Sequence, residues 1–233
     1  MTATATKRDA KASSRERILA VAERLIAERG VAVSLRDIAI EAGQRNNSAV
    51  NYYFGDRDGL IAEIVTYRLT SLESRRMELL AEVEASEAPD DPEALVRALV
   101  VPMFEVPRLE GATHYARFLE AVREHPAVRA IEAGAPASSA AVRIIVARLG
   151  RSLTQLPKAT RDFRLKALGT MTFALLADHE RMREARALSA RDESDALENV
   201  VNLCVSILVA KPPGAERSES AKRAGTVETR ARR

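Results

Sequence analysis

The side chains best suited to specific chemistry crowd between Ser34 and Arg57: Ser34, Arg36, Arg45, Asn46, Asn47, Ser48, Asn51, Tyr52, Tyr53 and Arg57. Arginine can pair with guanine O6 and N7, and asparagine with adenine N6 and N7. Hydroxyl groups and guanidinium ions also hydrogen-bond phosphates. The same residues would be ordinary on a solvated helical hairpin, so residue type alone leaves both readings open. Enzyme chemistry finds less support. His114, His125 and His179 lie far apart without metal-ligand spacing, and no Gly-rich phosphate loop, Ser elbow or His-Glu-x-x-His run occurs. The single cysteine, Cys204, excludes an internal disulfide framework and sits in an apolar run, as an inert core thiol would. We therefore assign no catalytic residue, no metal ligand and no cofactor.

The elements that must hold the polar cluster can be read from caps and periodicity. Ser34 can cap a helix, with Asp37 completing a capping-box-like pair, and Leu35, Ile38, Ala39 and Ala42 then share one face. Gly43 suits the left-handed stop. Asn46 or Asn47 can cap a second short helix whose apolar face is Ala49, Val50, Tyr53 and Phe54. Two short helices about a Gly turn form a helix-turn-helix layout. Before them, Ser13 and Glu16 form a capping box for a helix to Arg29, with Ile18, Ala22, Leu25 and Ile26 as its buried stripe. After them, a long helix is expected from about Arg57 to Glu84, carrying Leu60, Ile64, Tyr67, Leu69, Leu72, Met77, Leu80 and Val83 with Arg and Glu between. At about 1.5 Å per residue it would span about 40 Å and join the first unit rigidly to a second.

Further helices follow. One starts at Pro92 and is expected to kink or end early at Pro102 and Pro107. Another runs from Thr113 to Glu124, closed by His125-Pro126, and residues 132–139 read as a break. Val142, Ile145, Val146 and Leu149 mark the next, and the last two are expected over 158–188 and 193–209. No strand-type alternation and no internal repeat is evident. The fold class is all-α, with about nine helices.

With 233 residues the chain can bury a proper core. No run of about 18 apolar residues exists to span a bilayer, and the polar N-terminus lacks a signal-peptide core, so a soluble cytoplasmic protein without membrane contact is expected. Net charge is only +3, but both ends are basic. Lys7, Arg8, Lys11, Arg15 and Arg17 face Asp9 and Glu16, while Arg217, Lys222, Arg223, Arg230, Arg232 and Arg233 face Glu216, Glu219 and Glu228. We expect residues 1–12 as a disordered basic arm, 13–59 as the helix-turn-helix domain, 60–211 as a helical domain and 212–233 as a disordered basic tail.

Ser34, Arg36, Asp37, Ile38, Ala39, Ala42, Gly43, Phe54, Gly55 and Leu60 together resemble the signature of the TetR family of transcriptional regulators. The resemblance is strongest over Arg15–Leu60. Two departures stand out: the turn after Gly43 is one residue longer than the commonest pattern, of an RNNSAV type, and Asn51 and Tyr53 stand where Tyr and His are usual. The resemblance implies that Arg45, Asn46, Asn47, Ser48 and Asn51 face base edges in a major groove. It places Arg36 near DNA, Tyr52 and Tyr53 on the sugar–phosphate backbone, and Arg57 and Ser34 at phosphates. It implies a homodimer on a palindromic operator, with Leu168, Met171, Leu175, Val200, Leu203, Ile207 and Leu208 as interface candidates. It also implies a pocket for a small, hydrophobic effector, for which Tyr67, Met103, Phe104, His114, Arg117, Phe118, Met171, Phe173 and His179 are candidates. A helical dimeric adaptor without specific DNA binding is the rival reading.

Overall fold

A computed structural model describes residues 2–44, 48–110, 114–134, 139–186 and 188–211, with the side chains of 2–13, 106–110 and 132 outside the description. Among the described residues there are ten helices and no strand. They are α1 (Thr2–Arg29), α2 (Leu35–Glu41), α3 (Ser48–Phe54), α4 (Arg57–Glu84), α5 (Pro92–Glu110), α6 (Tyr115–Val122), α7 (Pro126–Gly134), α8 (Ala140–Ser152), α9 (Lys158–Ala185) and α10 (Ala190–Val209). The tenth is α7, a helix opened by Pro126 where the sequence reading saw only the end of its predecessor.

The first three helices and the start of α4 close around one small core of Ile18, Leu25, Ile26, Ile38, Val50, Leu60 and Ile64, each no more than 1% exposed. The Ser34 hydroxyl accepts from the Asp37 N–H at 3.0 Å. Only that half of the expected capping pair forms. At the other end of α2, Gly43 takes φ +72°. Its N–H donates to the Ile40 carbonyl, and the Gln44 N–H reaches back to Ala39 at 2.8 Å. This crossed pair satisfies carbonyls that the helix end would otherwise leave open.

Several boundaries differ from the sequence reading. Helix α1 runs from Thr2, so Ser13 lies inside it and residues 2–12, expected as a disordered arm, are helical backbone. Ala3, Ala5, Lys7, Arg8, Ala10 and Lys11 are good helix formers, and extending a helix already nucleated by the buried stripe carries no second nucleation cost. Helix α5 passes both Pro102 and Pro107 instead of ending early. Leu95, Val96, Val100, Met103 and Phe104 are buried along it, and this packing against α4, α8 and α10 outweighs the lost backbone donors. Helix α10 starts three residues early because Ser189 and Asp192 form a reciprocal capping box. The expected tail, 212–233, lies outside the described residues.

Helix α4 holds the main surprise. Tyr67 and Met77, expected inside, are 39% and 43% exposed, whereas Arg68 and Arg76 are buried. Leu60, Ile61 and Ile64 at its start are buried in the core of the N-terminal unit, and the helix also packs against α5, α7 and α8 of the body.

Candidate nucleic-acid interface and the cavity behind it

Helix α3 has two faces. Val50 is fully buried and Ala49, Tyr53 and Phe54 are partly so, which turns Ser48, Asn51 and Tyr52 outward one helical turn apart. Tyr52 is 69% exposed and meets Tyr53 edge-on, with ring centroids 5.2 Å apart. Tyr53 leans on Phe54 in turn, and the Arg15 guanidinium lies 5.6 Å over the Phe54 ring. Arg36 is exposed on α2, as is Ser34 at its cap. Arg45, Asn46 and Asn47 lie outside the described residues, so the structure gathers Ser34, Arg36, Ser48, Asn51 and Tyr52 of the expected cluster on the solvent side.

Arg57 behaves otherwise. It was expected at a phosphate, yet its Nη1 donates to the Val33 carbonyl at 2.6 Å and to the Val31 carbonyl. These are unsatisfied backbone acceptors of the α1–α2 turn, and a guanidinium is well suited to bind two at once. The adjoining junction is tight: Asp56 caps α4 by accepting from the Gly59 N–H at 2.8 Å. A Cβ on Gly59 would lie 2.0 Å from the Phe54 carbonyl oxygen. Neither Asp56 nor Gly59 was singled out from sequence, although an Asp three residues before a Gly at a helix start was a readable cap.

The unit is tied to the body by buried polar bonds. Arg68 Nε and Nη2 donate to the two Glu23 oxygens at 2.7 and 3.0 Å, and the His114 N–H donates to Glu23 Oε1 at 3.2 Å. Glu180 accepts from the Ala116 and Arg117 N–H groups at the start of α6, at 2.9 and 3.0 Å. Burial pushes the Glu180 pKa up to about 7, although those two N–H groups pull it down. His114 is pushed down, first by burial and then by Arg117. Glu28, His114 and Glu184 bring possible metal-ligand atoms within 4.8 Å of one another, a grouping the sequence hides. Arg24 already pairs with Glu28 and Arg117 with Glu184, which leaves the cluster charge-compensated.

The body encloses a cavity of about 260 Å³ lined by Leu99, Met103, Leu119, Val128, Ile131 and Phe173 among others. Of the effector candidates, Met103 and Phe173 line it. The rest do not. Phe118 is fully buried core, and Tyr67 is partly exposed with the Arg68 guanidinium 5.7 Å over its ring. Phe104 and His179 meet at 4.9 Å with their rings tilted by 41° in an adjoining crevice, and His179 Nε2 lies 3.2 Å from Glu193. His114 and Arg117 line a surface depression, and Met171 packs against the core. Apolar residues with helical spacing look alike from sequence whether they fill a core or bound a void. Tyr115 and Arg76 are among the lining residues that were not singled out from sequence.

Interface candidates divide similarly. Leu168, Val200 and Leu208 are at most 5% exposed and belong to the protomer's own core. Leu203 is 48% exposed, and with Leu175, Met182 and Ala196 it lines one shallow groove between α9 and α10. Met171 and Ile207 are half-buried.

An all-helical chain with a short outward-facing second helix after a Gly-stopped first one is a helix-turn-helix protein carrying a helical body. Residues 18–64 match the sequence model of the bacterial regulatory proteins of the tetR family. Residues 18–64 are thus a domain of the kind that opens the bacterial regulatory proteins of the tetR family. In structure it is similar to a TetR family transcription regulator from Marinobacter aquaeolei VT8, with a TM-score of 0.53 and 17% identity over 86% of this chain and 97% of that one. It is also similar to a protein from Shewanella sp. PV-4 assigned to the same family, with a TM-score of 0.50 and 14% identity over 82% and 97%. At such identities the likeness shows the fold. No curated protein matches the chain in sequence. No described helix is long and apolar enough to cross a membrane.

Proposed function

We propose that this regulator is a repressor that binds a palindromic operator as a homodimer and is released when a small molecule fills the cavity. One observation carries the reading: α4 is a single 28-residue helix that serves both sites. Leu60, Ile61 and Ile64 at its start are core of the DNA-reading unit, while Val65, Leu69 and Arg76 further on bound the cavity. A ligand that favours one placement of α4 therefore changes where the reading helix sits relative to its partner copy. Ser48 and Asn51, with Arg45, Asn46 and Asn47 before them, address base edges. Arg36, Tyr52 and the Ser34 hydroxyl address the backbone. Two half-sites about one helical turn apart supply affinity that one short helix lacks.

Selection of bound sequences from a random duplex pool tests this. A repressor enriches a short palindrome and holds it with an affinity that falls steeply as salt rises, because phosphate contacts release counterions. No enrichment over random duplex, or binding insensitive to salt, sinks the proposal and favours a helical adaptor.

A further inference from the structure

We propose that the cavity takes a small organic anion, a carboxylate on an apolar aliphatic or aryl body, anchored by Arg76. The inference rests on the effector reading of that cavity and names the ligand class. Arg76 is 4% exposed and lines the cavity, and its Nε and Nη1 are buried with no hydrogen-bond partner. Among the described residues it forms no ion pair. A guanidinium does not give up its charge in a protein, and an unpaired charge among apolar groups is unfavourable until a counter-ion arrives. Glu73, one turn earlier, accepts from the Ala141 N–H at 2.8 Å and leaves Oε2 buried without a partner, so it does not neutralise Arg76 by contact.

The rest of the wall fits an amphipathic anion. Tyr115 lines the same cavity, and burial pushes its phenol up to about 12, which keeps it a neutral hydroxyl donor. Arg123 and Arg143 are exposed where they meet the cavity, and Arg123 donates to Thr170 at 3.1 Å. They add positive potential without competing for the same buried position. The rest of the lining is mostly aliphatic and aromatic. At about 30 Å³ per water the cavity equals about nine water volumes, room for a body of octanoate size and not for a long-chain lipid. A cationic ligand would meet three arginines, and a neutral one would leave Arg76 desolvated and unpaired.

Calorimetric titration of the full chain with octanoate, 1-octanol and octylamine, matched in length, tests the proposal. Octanoate should bind at least about tenfold more tightly than octanol, as expected for hydrogen bonds to a charged group, and octylamine should not bind. Arg76→Met should abolish the preference for octanoate. Gly169→Leu, placed on the cavity wall where a new Cβ meets nothing within 4 Å, should weaken octanoate and octanol together. Equal affinity for octanoate and octanol in the unaltered chain overturns the proposal, as does octanoate binding that neither variant changes. Should Arg76→Met fail to fold, the ligand series on the unaltered chain decides alone. A carboxylate preference in a chain that selects no DNA sequence would remove the repressor reading and keep this one; operator binding without the preference would do the reverse.

Discussion

Arg57 has a route to DNA affinity through the fold. Its bonds to the Val31 and Val33 carbonyls fasten the α1–α2 turn to the start of α4. Hydrogen bonds to a charged group are worth about 1.5–3 kcal/mol each way of counting, and removing the donor leaves both acceptors short of a partner. Arg57→Met should therefore lower stability by about 2 kcal/mol in urea melts and weaken all DNA sequences alike. Glu180 supplies the pH dependence. The folded carboxyl keeps its proton up to about 7, while an unfolded one releases it near 4.5, so folding takes up a proton between those values. The stability this gives is complete below about 4.5 and is lost as pH rises through about 7. Glu180→Gln should flatten the stability profile between those limits by about 1–3 kcal/mol, measured as the difference between melts at pH 5 and pH 8. The exposed cluster on α2 and α3 was legible because its residue types and cap positions are local. Arg68 and Arg76 were not: a buried arginine and a solvated one have the same periodicity, and only the partner in space, Glu23, or the lack of one, tells them apart.

Helix α3 has seven residues and is held in place by its neighbours rather than by its own length. The closest neighbour is the first turn of α4, where Gly59 lets the backbone pass the Phe54 carbonyl. Gly59→Ala would put a methyl group 2.0 Å from that oxygen, and backbone cannot rotate away as a side chain can. We expect a loss of about 1–3 kcal/mol in thermal or urea unfolding and a disproportionate loss of DNA affinity, since α3 is what must move. A variant as stable as the parent would show that the junction is slack. At this scale the sequence was informative wherever a helix is started by a side chain or stopped by glycine, as at Ser34 and Gly43. It failed where packing overrides local preference. The prolines of α5 are carried by a buried apolar face, and α7 begins at a proline that could equally have ended α6.

For the molecule as a whole, the proposed dimer depends on the apolar groove between α9 and α10. Leu203→Glu places a charge at a half-exposed position of that groove, where it needs no rearrangement of the protomer core. The expected outcome is a monomer by light scattering, with unchanged helicity and operator affinity reduced by at least about a hundredfold, because the two half-sites are then bound separately. A variant that stays dimeric would move the interface elsewhere. The all-helical architecture could be read from periodicity and from the absence of alternating stretches. Which apolar faces serve the protomer and which serve a partner could not, because both kinds of face satisfy the same spacing.

The bond between Glu23 and Arg68 also governs which parts of this protein can be exchanged with those of another. Glu23 belongs to α1 and Arg68 to α4 beyond the matched segment, so a hybrid cut after residue 64 would keep one and lose the other. The orphaned ion would be buried, at a cost of about 3–5 kcal/mol, while exchanging both for packed apolar residues could be nearly neutral. Hybrids that place this reading unit on a foreign body would thus be limited by a charge at the seam before operator or ligand specificity came into play. Moving the seam past Arg68 removes that barrier.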